Sequence, residues 1–203
     1  MNNLKPIIKL LKQSSAAPFN IPLAEDLLLK VTKALDKNNI PYHLEGGTLL
    51  GIVRDNAILP WDDDLDISIP AGYEKQTVKA LRFLYWEGWR IDKRKYYQFS
   101  SVTHTGMRVI KIRDRSRGLL NMGHSYLDIF VKFNQGGNTY WQAKSKLMKV
   151  DDHYYKGFDE IDFKGHKLKA PKNYQSYLSE KYGDWKTPVK EWDCSTDEKT
   201  IVE

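Results

Sequence analysis

The 203-residue sequence predicts an α+β fold: a mixed β-sheet flanked by helices, with a small β-hairpin and a helix toward the C-terminus. Three observations predict it. Leu65, Ile67 and Ile69 alternate with Asp64, Asp66 and Ser68, the two-residue period of a strand. The same period recurs over 107–113 and 126–133. Around these stretches, 23–38 and 71–88 place apolar residues at helical spacing.

Taken in order, residues 1–22 read as a short N-terminal helix and a linker punctuated by Pro18 and Pro22. Ile7, Ile8, Leu10 and Leu11 with Lys5, Lys9 and Lys12 fit either a helix packed on the domain or a weak membrane anchor. One domain follows over 23–192. Its first helix, 23–38, turns Ala24, Leu27, Leu28, Val31, Ala34 and Leu35 inward, and Asn38-Asn39 suits its end. Tyr42-His43-Leu44 forms a short strand that delivers the turn Gly46-Gly47. The glycines let a backbone approach a ligand closely, and the helix start behind them offers free amides to phosphate. The helix expected over 71–88 stops at Gly88, and a strand follows from Trp89. Strand 107–113 puts Lys111 and Arg113 on one face, as a grip for a diphosphate or as a solvated edge. Residues 115–118 form a basic loop. Residues 134–138 are a turn, 158–168 two short strands around Lys164-Gly165, and Pro171-Lys172-Asn173 opens a last helix that ends at Gly183. The tail 193–203 is polar and expected to be loose.

The chemistry concentrates in Pro60-Trp61-Asp62-Asp63-Asp64-Leu65-Asp66, four carboxylates in five residues at the mouth of an apolar strand. Asp64 and Asp66 project from the same strand face and repel each other unless a cation lies between them. Oxygen-only ligands suit a hard divalent ion, Mg2+ foremost and Mn2+ as an alternative. Asp128 is a second acidic residue inside an otherwise apolar strand. Burial of an unpaired charge there costs several kcal/mol unless it is neutralised or partnered, and a metal ion would remove that conflict.

The run Gly47-Thr48-Leu49-Leu50-Gly51-Ile52-Val53-Arg54, followed by Ile58-Leu59-Pro60-Trp61-Asp62-Asp63-Asp64-Leu65-Asp66-Ile67, resembles the signature of the LicD family. Tyr182-Gly183-Asp184-Trp185 is similar to that family's terminal Tyr-Gly-x-x-Trp element, so the resemblance spans roughly 25–190. It implies a nucleotidyltransferase-like fold. It also implies transfer of an alcohol phosphate, such as phosphocholine or ribitol or glycerol phosphate, from a CDP-alcohol donor to a glycan hydroxyl. Lipopolysaccharide and teichoic acid are acceptors of this kind. Asp64, Asp66 and Asp128 become the catalytic carboxylates, and with Asp62 the metal ligands. Either Asp62 or Asp63 touches the metal while the other orients a ligand. Gly46, Gly47 and Thr48 position phosphate, helped by Lys111 and by Arg54. For Arg54 a structural ion pair is an equal alternative.

Composition narrows the rest. A net charge of +6 favours anionic partners without choosing among them. No nucleic-acid motif is present, and no nucleic-acid partner is expected. The single Cys194 excludes an internal disulfide and fits a reducing, cytoplasmic setting. Peripheral contact with the inner membrane face stays open. A nucleotidyltransferase acting on a nucleoside triphosphate is the rival enzyme reading. His104 and His124 read as surface or hydrogen-bonded residues rather than bases.

Overall fold

The computed structural model describes residues 19–96, 99–104, 106–115 and 123–203. The expected N-terminal helix and most of its linker lie outside these residues, as do Ser116, Arg117 and Gly118 of the basic loop.

Helix α1 (Ile21–Lys37) starts two residues earlier than its apolar spacing suggests. Asn20 is the reason: its side chain accepts a hydrogen bond from the Leu23 amide at 3.1 Å, and Pro22 sits in the first turn. Strand β1 (His43–Leu44) leads into α2 (Gly46–Asp55), which stops at Asn56 in the left-handed conformation. Strand β2 (Leu65–Pro70) follows. The helix expected over 71–88 is shorter and broken: α3 (Glu74–Ala80) gives way to a 3-10 turn, Arg82–Tyr85. Strands β3 (Arg90–Lys95), β4 (Met107–Arg113) and β5 (Ser125–Gln135) come next.

These strands form a mixed sheet in the order β1-β2-β5-β4-β3, with β2 and β5 parallel and the other neighbours antiparallel. Two strands that the sequence reading did not assign, β6 (Asn138–Ala143) and β7 (Lys146–Asp151), extend the sheet from the far end of β5. The reading found only their entry turn, at Gly136-Gly137. The small hairpin is as expected: β8 (Asp159–Phe163) pairs with β9 (His166–Ala170). Helix α4 (Tyr174–Tyr182) ends at Gly183, whose φ of 75° suits glycine and whose amide bonds the Ser179 carbonyl at 2.8 Å.

The pleat sorts the sheet into two faces. Leu65, Ile67, Ile69, Leu127, Ile129, Ile110 and Ile112 join Leu27, Leu28, Val31 and Leu35 of α1 in one buried core. Each such side chain contributes about 2 kcal/mol by leaving water. The opposite face carries the charged residues.

The tail 193–203 is not loose. Lys149 N–H bonds the Thr200 carbonyl at 2.9 Å, Val202 N–H bonds the Leu147 carbonyl at 2.9 Å, and Leu147 N–H bonds the Glu203 carbonyl at 2.7 Å. The segment therefore runs along β7 and satisfies backbone groups of that strand, a pairing invisible in its polar composition.

Candidate active site

The register of three strands builds the site. Asp66 of β2 lies beside Asp128 of β5, and Lys111 of β4 lies beside Asp128 on its other flank. Residues at the same level of a sheet share a face, so the two carboxylates and the ammonium stand in a row. Oxygens of Asp64, Asp66 and Asp128 lie within 4.8 Å of one another, as do those of Asp62, Asp63 and Asp64. Asp64 thus belongs to both groups.

The start of α2 closes on this row. Gly46 adopts a φ of 53°, and a Cβ there would lie 2.1 Å from Asp66 Oδ2. A Cβ on Gly47 would lie 2.0 Å from Asp62 Oδ2. The glycines therefore leave room for carboxylates at the helix N-terminus, a role more specific than the close approach expected from sequence. The Thr48 hydroxyl accepts from the Asp66 amide at 2.8 Å and fixes α2 to β2.

Electrostatics mark the cluster as unfinished. Burial first, then the neighbouring Asp128, Asp62 and Asp63, push the Asp64 carboxyl well above the usual carboxylate range, with Lys111 opposing. Burial and the charges of Asp64, Asp128 and Asp62 do the same to Asp66. Burial pushes Asp62 up to about 6. Crowded, partly buried carboxylates with oxygen-only chemistry fit a hard divalent cation, whose charge would remove the conflict that raises them.

Asp128 is the most enclosed member, 5% exposed. Its Oδ1 accepts from the Ser125 hydroxyl at 2.7 Å, and its Oδ2 accepts from the Lys111 ammonium. Lys111 is therefore engaged with the cluster. Arg113, its face-mate in sequence, bonds the Gly123 carbonyl at 3.2 Å and lies 3.8 Å from Asp92. Arg54 grips Asp55 through two hydrogen bonds of 2.8 and 2.9 Å. It also borders the cavity described next. His124 Nε2 bonds the Asp63 carbonyl and so pins the acidic loop. His104 stacks on Phe133 with centroids 4.5 Å apart, away from the acidic row.

A cavity of about 410 Å³ opens in front of Gly46, Gly47, Asp62, Asp64 and Asp66. Its opposite wall comes from residues after α4 begins: Lys181, Tyr182, Trp185, Lys190, Trp192 and Glu198. Only the Tyr182–Trp185 stretch of that wall was singled out by sequence. Lys181 pairs with Glu198 at 2.9 Å, both side chains nearly fully buried. Lys144, also on the wall, pairs with Asp193 at 2.7 Å.

Beneath the row lies a second network that sequence reasoning missed. The Glu45 carboxylate, just ahead of Gly46, pairs with Lys132 of β5 at 2.8 Å. It accepts from Ser68 at 2.9 Å and from Tyr155 and Tyr177 at 2.7 Å each. Burial alone would raise this carboxyl, but Lys132 and Lys181 outweigh it and hold Glu45 below the usual range. The signal was present as an acid and a base in buried strand contexts. Nothing in the local pattern joined positions so far apart.

The family model described as LicD/FKTN/FKRP, nucleotidyltransferase domain, matches residues 39–173. Ribitol 5-phosphate transferase FKRP of Mus musculus is 26% identical over 157 residues, covering 75% of this chain and 30% of that protein. Uncharacterized protein RT0683 of Rickettsia typhi is 46% identical over 71 residues, covering 34% of this chain and 23% of that protein. Lipopolysaccharide cholinephosphotransferase LicD of Haemophilus influenzae is 47% identical over 32 residues, covering 16% of this chain and 12% of that protein. The chain thus spans less than a third of the length of each of these relatives. Among solved structures, ANT(2")-Ia in complex with adenylyl-2"-tobramycin aligns with a TM-score of 0.44 at 15% identity, covering 84% of this chain and 81% of that one. The matched span 39–173 contains the start of α2, the acidic run, Asp128 and Lys111, and on that match the chain belongs to the LicD family.

Proposed function

We propose that this chain transfers an alcohol phosphate from a CDP-activated donor to a hydroxyl of a cell-surface glycan, with Mg2+ or Mn2+ at the carboxylate cluster. The observation that carries the reading is the cluster of Asp64, Asp66 of β2 and Asp128 of the parallel strand β5, of which Asp64 and Asp66 border the cavity beside a glycine helix start. The names of the FKRP and LicD relatives, a ribitol 5-phosphate transferase and a cholinephosphotransferase, support the substrate class.

Asp62, Asp64, Asp66 and Asp128 would hold the cation. When bound, it neutralises charge on the donor phosphates and on the leaving oxygen. The chain's own residues do the rest. The start of α2 presents amides to phosphate, and Lys181 and Lys190 supply positive charge on the facing wall. The acceptor oxygen bonds to the phosphorus that carries the alcohol. The bond from that phosphorus to the bridging oxygen breaks, and CMP leaves with its electron pair. The hydroxyl proton passes to a carboxylate of the cluster, with Asp128 as the candidate base.

The test is thermal stabilisation by CDP-choline, CDP-ribitol, CDP-glycerol, CTP and ATP, each with and without Mg2+, followed by product analysis. A ligand that binds only the folded state must raise its stability. A Mg2+-dependent shift with one CDP-alcohol and release of CMP is the expected result. A shift confined to triphosphates, with pyrophosphate released, would replace this reading by nucleotidyl transfer.

A further inference from the structure

The helical segment from α3 through the 3-10 turn to Trp86 has two sharply different faces. Thr77, Leu81 and Leu84 are buried, each at 0% exposure, and fix the segment to the domain. Lys75, Lys79, Arg82, Tyr85 and Trp86 are exposed on the other side. Their spacing of four, three and four residues from Lys75 through Lys79 and Arg82 to Trp86 keeps them on one helical face. Trp86 is 94% exposed, an unusual position for the largest side chain.

The three cations are also free to meet an outside charge. Among the described residues, Lys75, Lys79 and Arg82 take part in none of the ion pairs. The neighbouring acids are engaged elsewhere: Glu74 accepts from the Gly72 amide at 2.7 Å, and Glu87 pairs with Lys30 at 2.9 Å. The face therefore combines unneutralised positive charge with an indole and a phenol. Indole and phenol rings favour the boundary between lipid and water, where the ring is apolar and its polar edge stays wet. Lysine and arginine stems lie along such a surface while their charges meet lipid phosphates.

We propose that this face docks the protein on an anionic lipid bilayer, with Trp86 inserted at the headgroup level. Charge complementarity selects the occupant. A neutral bilayer gives nothing to the three cations, and a protein partner would be expected to cover Trp86 with a groove rather than a flat phosphate layer. The proposal does not depend on the chemistry of the carboxylate cavity. The residues involved belong to α3 and the turn after it, and none lines that cavity.

The experiment is co-sedimentation of the full chain with vesicles of phosphatidylcholine alone, or of phosphatidylcholine and phosphatidylglycerol in equal parts. Each surface cation contributes about fivefold to affinity for an anionic bilayer. The triple variant Lys75→Gln, Lys79→Gln, Arg82→Gln should therefore bind phosphatidylglycerol vesicles about a hundredfold more weakly. Trp86→Ala should weaken binding at least tenfold, and added salt should weaken the wild type. All these positions are exposed, so melting temperatures should stay within a few degrees. Wild-type binding that ignores phosphatidylglycerol, or variants that bind as the wild type does, would overturn the proposal. So would binding to RNA with no binding to either vesicle.

Discussion

Gly47 and Asp62 meet so closely that the first carbon of any side chain at position 47 would lie 2.0 Å from Asp62 Oδ2. The contact atom is the end of a short, partly exposed side chain, so the carboxylate can swing away at small cost. Gly47→Ala should therefore leave stability within about 1 kcal/mol of wild type while displacing Asp62 and lowering turnover at least tenfold. Gly46→Ala should cost more, because it adds a φ of 53° to a clash with Asp66. Gly157→Ala, where a Cβ meets nothing within 4 Å, is the matched control and should change neither property. Urea unfolding and donor turnover on the three variants separate the cases. Normal turnover in Gly47→Ala would remove Asp62 from the site.

The raised carboxyls give the metal-free protein a pH dependence of defined sign. Asp62 titrates near 6 in the folded chain, against the lower range of a free carboxylate, and Asp64 and Asp66 are raised as well. Between the unfolded and folded values the folded state holds more protons, so stability falls as pH rises through that window. A divalent cation competes with those protons and gains affinity as they leave. With chelator present, the melting temperature should drop from pH 5 to pH 7. With Mg2+ or Mn2+ present, the drop should shrink or vanish. Asp66→Asn should raise the metal-free melting temperature, by about 2–4 °C for each kcal/mol of repulsion relieved, and abolish the metal response. A metal response that survives in Asp66→Asn would exclude that residue as a ligand.

How much of this could be read in advance depended on whether a residue's role is local. Asp64, Asp66 and Asp128 were visible because an acid that interrupts an apolar two-residue period announces itself within its own strand. Glu45 and Lys132 carry no such mark. Glu45 sits between a two-residue strand and a glycine turn, and Lys132 alternates with apolar neighbours as any outward lysine would. Their pairing arises from the parallel register of β2 and β5, which stacks Ser68 beside Phe130 one level below the aspartates. The β6 and β7 hairpin escaped for a different reason. Tyr140, Gln142 and Lys149 dilute its apolar pattern, and part of the pairing of β7 comes from the distant tail. The break in the helix over 71–88 reflects tertiary packing of Leu81 and Leu84, which overrides spacing that is otherwise helical.

The Glu45–Lys132 pair should behave as a buried ion pair whose halves cannot be separated cheaply. Each side chain is 3% exposed. Lys132→Met leaves the Glu45 carboxylate to the hydroxyls of Ser68, Tyr155 and Tyr177 without its paired ammonium, and Glu45→Gln leaves a buried ammonium, so each should lose about 3–5 kcal/mol. The double variant removes both charges and should recover a large part of that loss. Urea midpoints on the two single variants and the double variant form the cycle. Additive losses would mean that the two residues do not act as a pair. A second readout bears on the site: Glu45 precedes Gly46, so the double variant should regain stability more fully than turnover.

The tail contributes to the cavity as well as to the fold, and removal of 194–203 should show both effects. Deletion strips Glu198 from Lys181, a pair at 2.9 Å with side chains 2% and 6% exposed respectively. It also removes the bridge from Ile201 to Met148 and the Glu203 carboxylate that accepts from Ser100 and Ser101. Burial opposes the charge on Lys181, and Glu198 with Glu45 restores it, so the truncated chain must either hydrate this ammonium or lose its proton. A loss of several kcal/mol is expected from the unpaired lysine alone, whereas a solvated tail would leave the melting temperature unchanged. Glu198→Gln isolates the charge from the backbone pairing. It should keep the strand-like contacts along β7 yet let Lys181 leave its present position on the cavity wall. Donor affinity, measured by titration in the presence of Mg2+, should then change in Glu198→Gln, and Lys181→Met should weaken it at least tenfold. Equal donor affinity in wild type and Lys181→Met would restrict Lys181 to anchoring the tail.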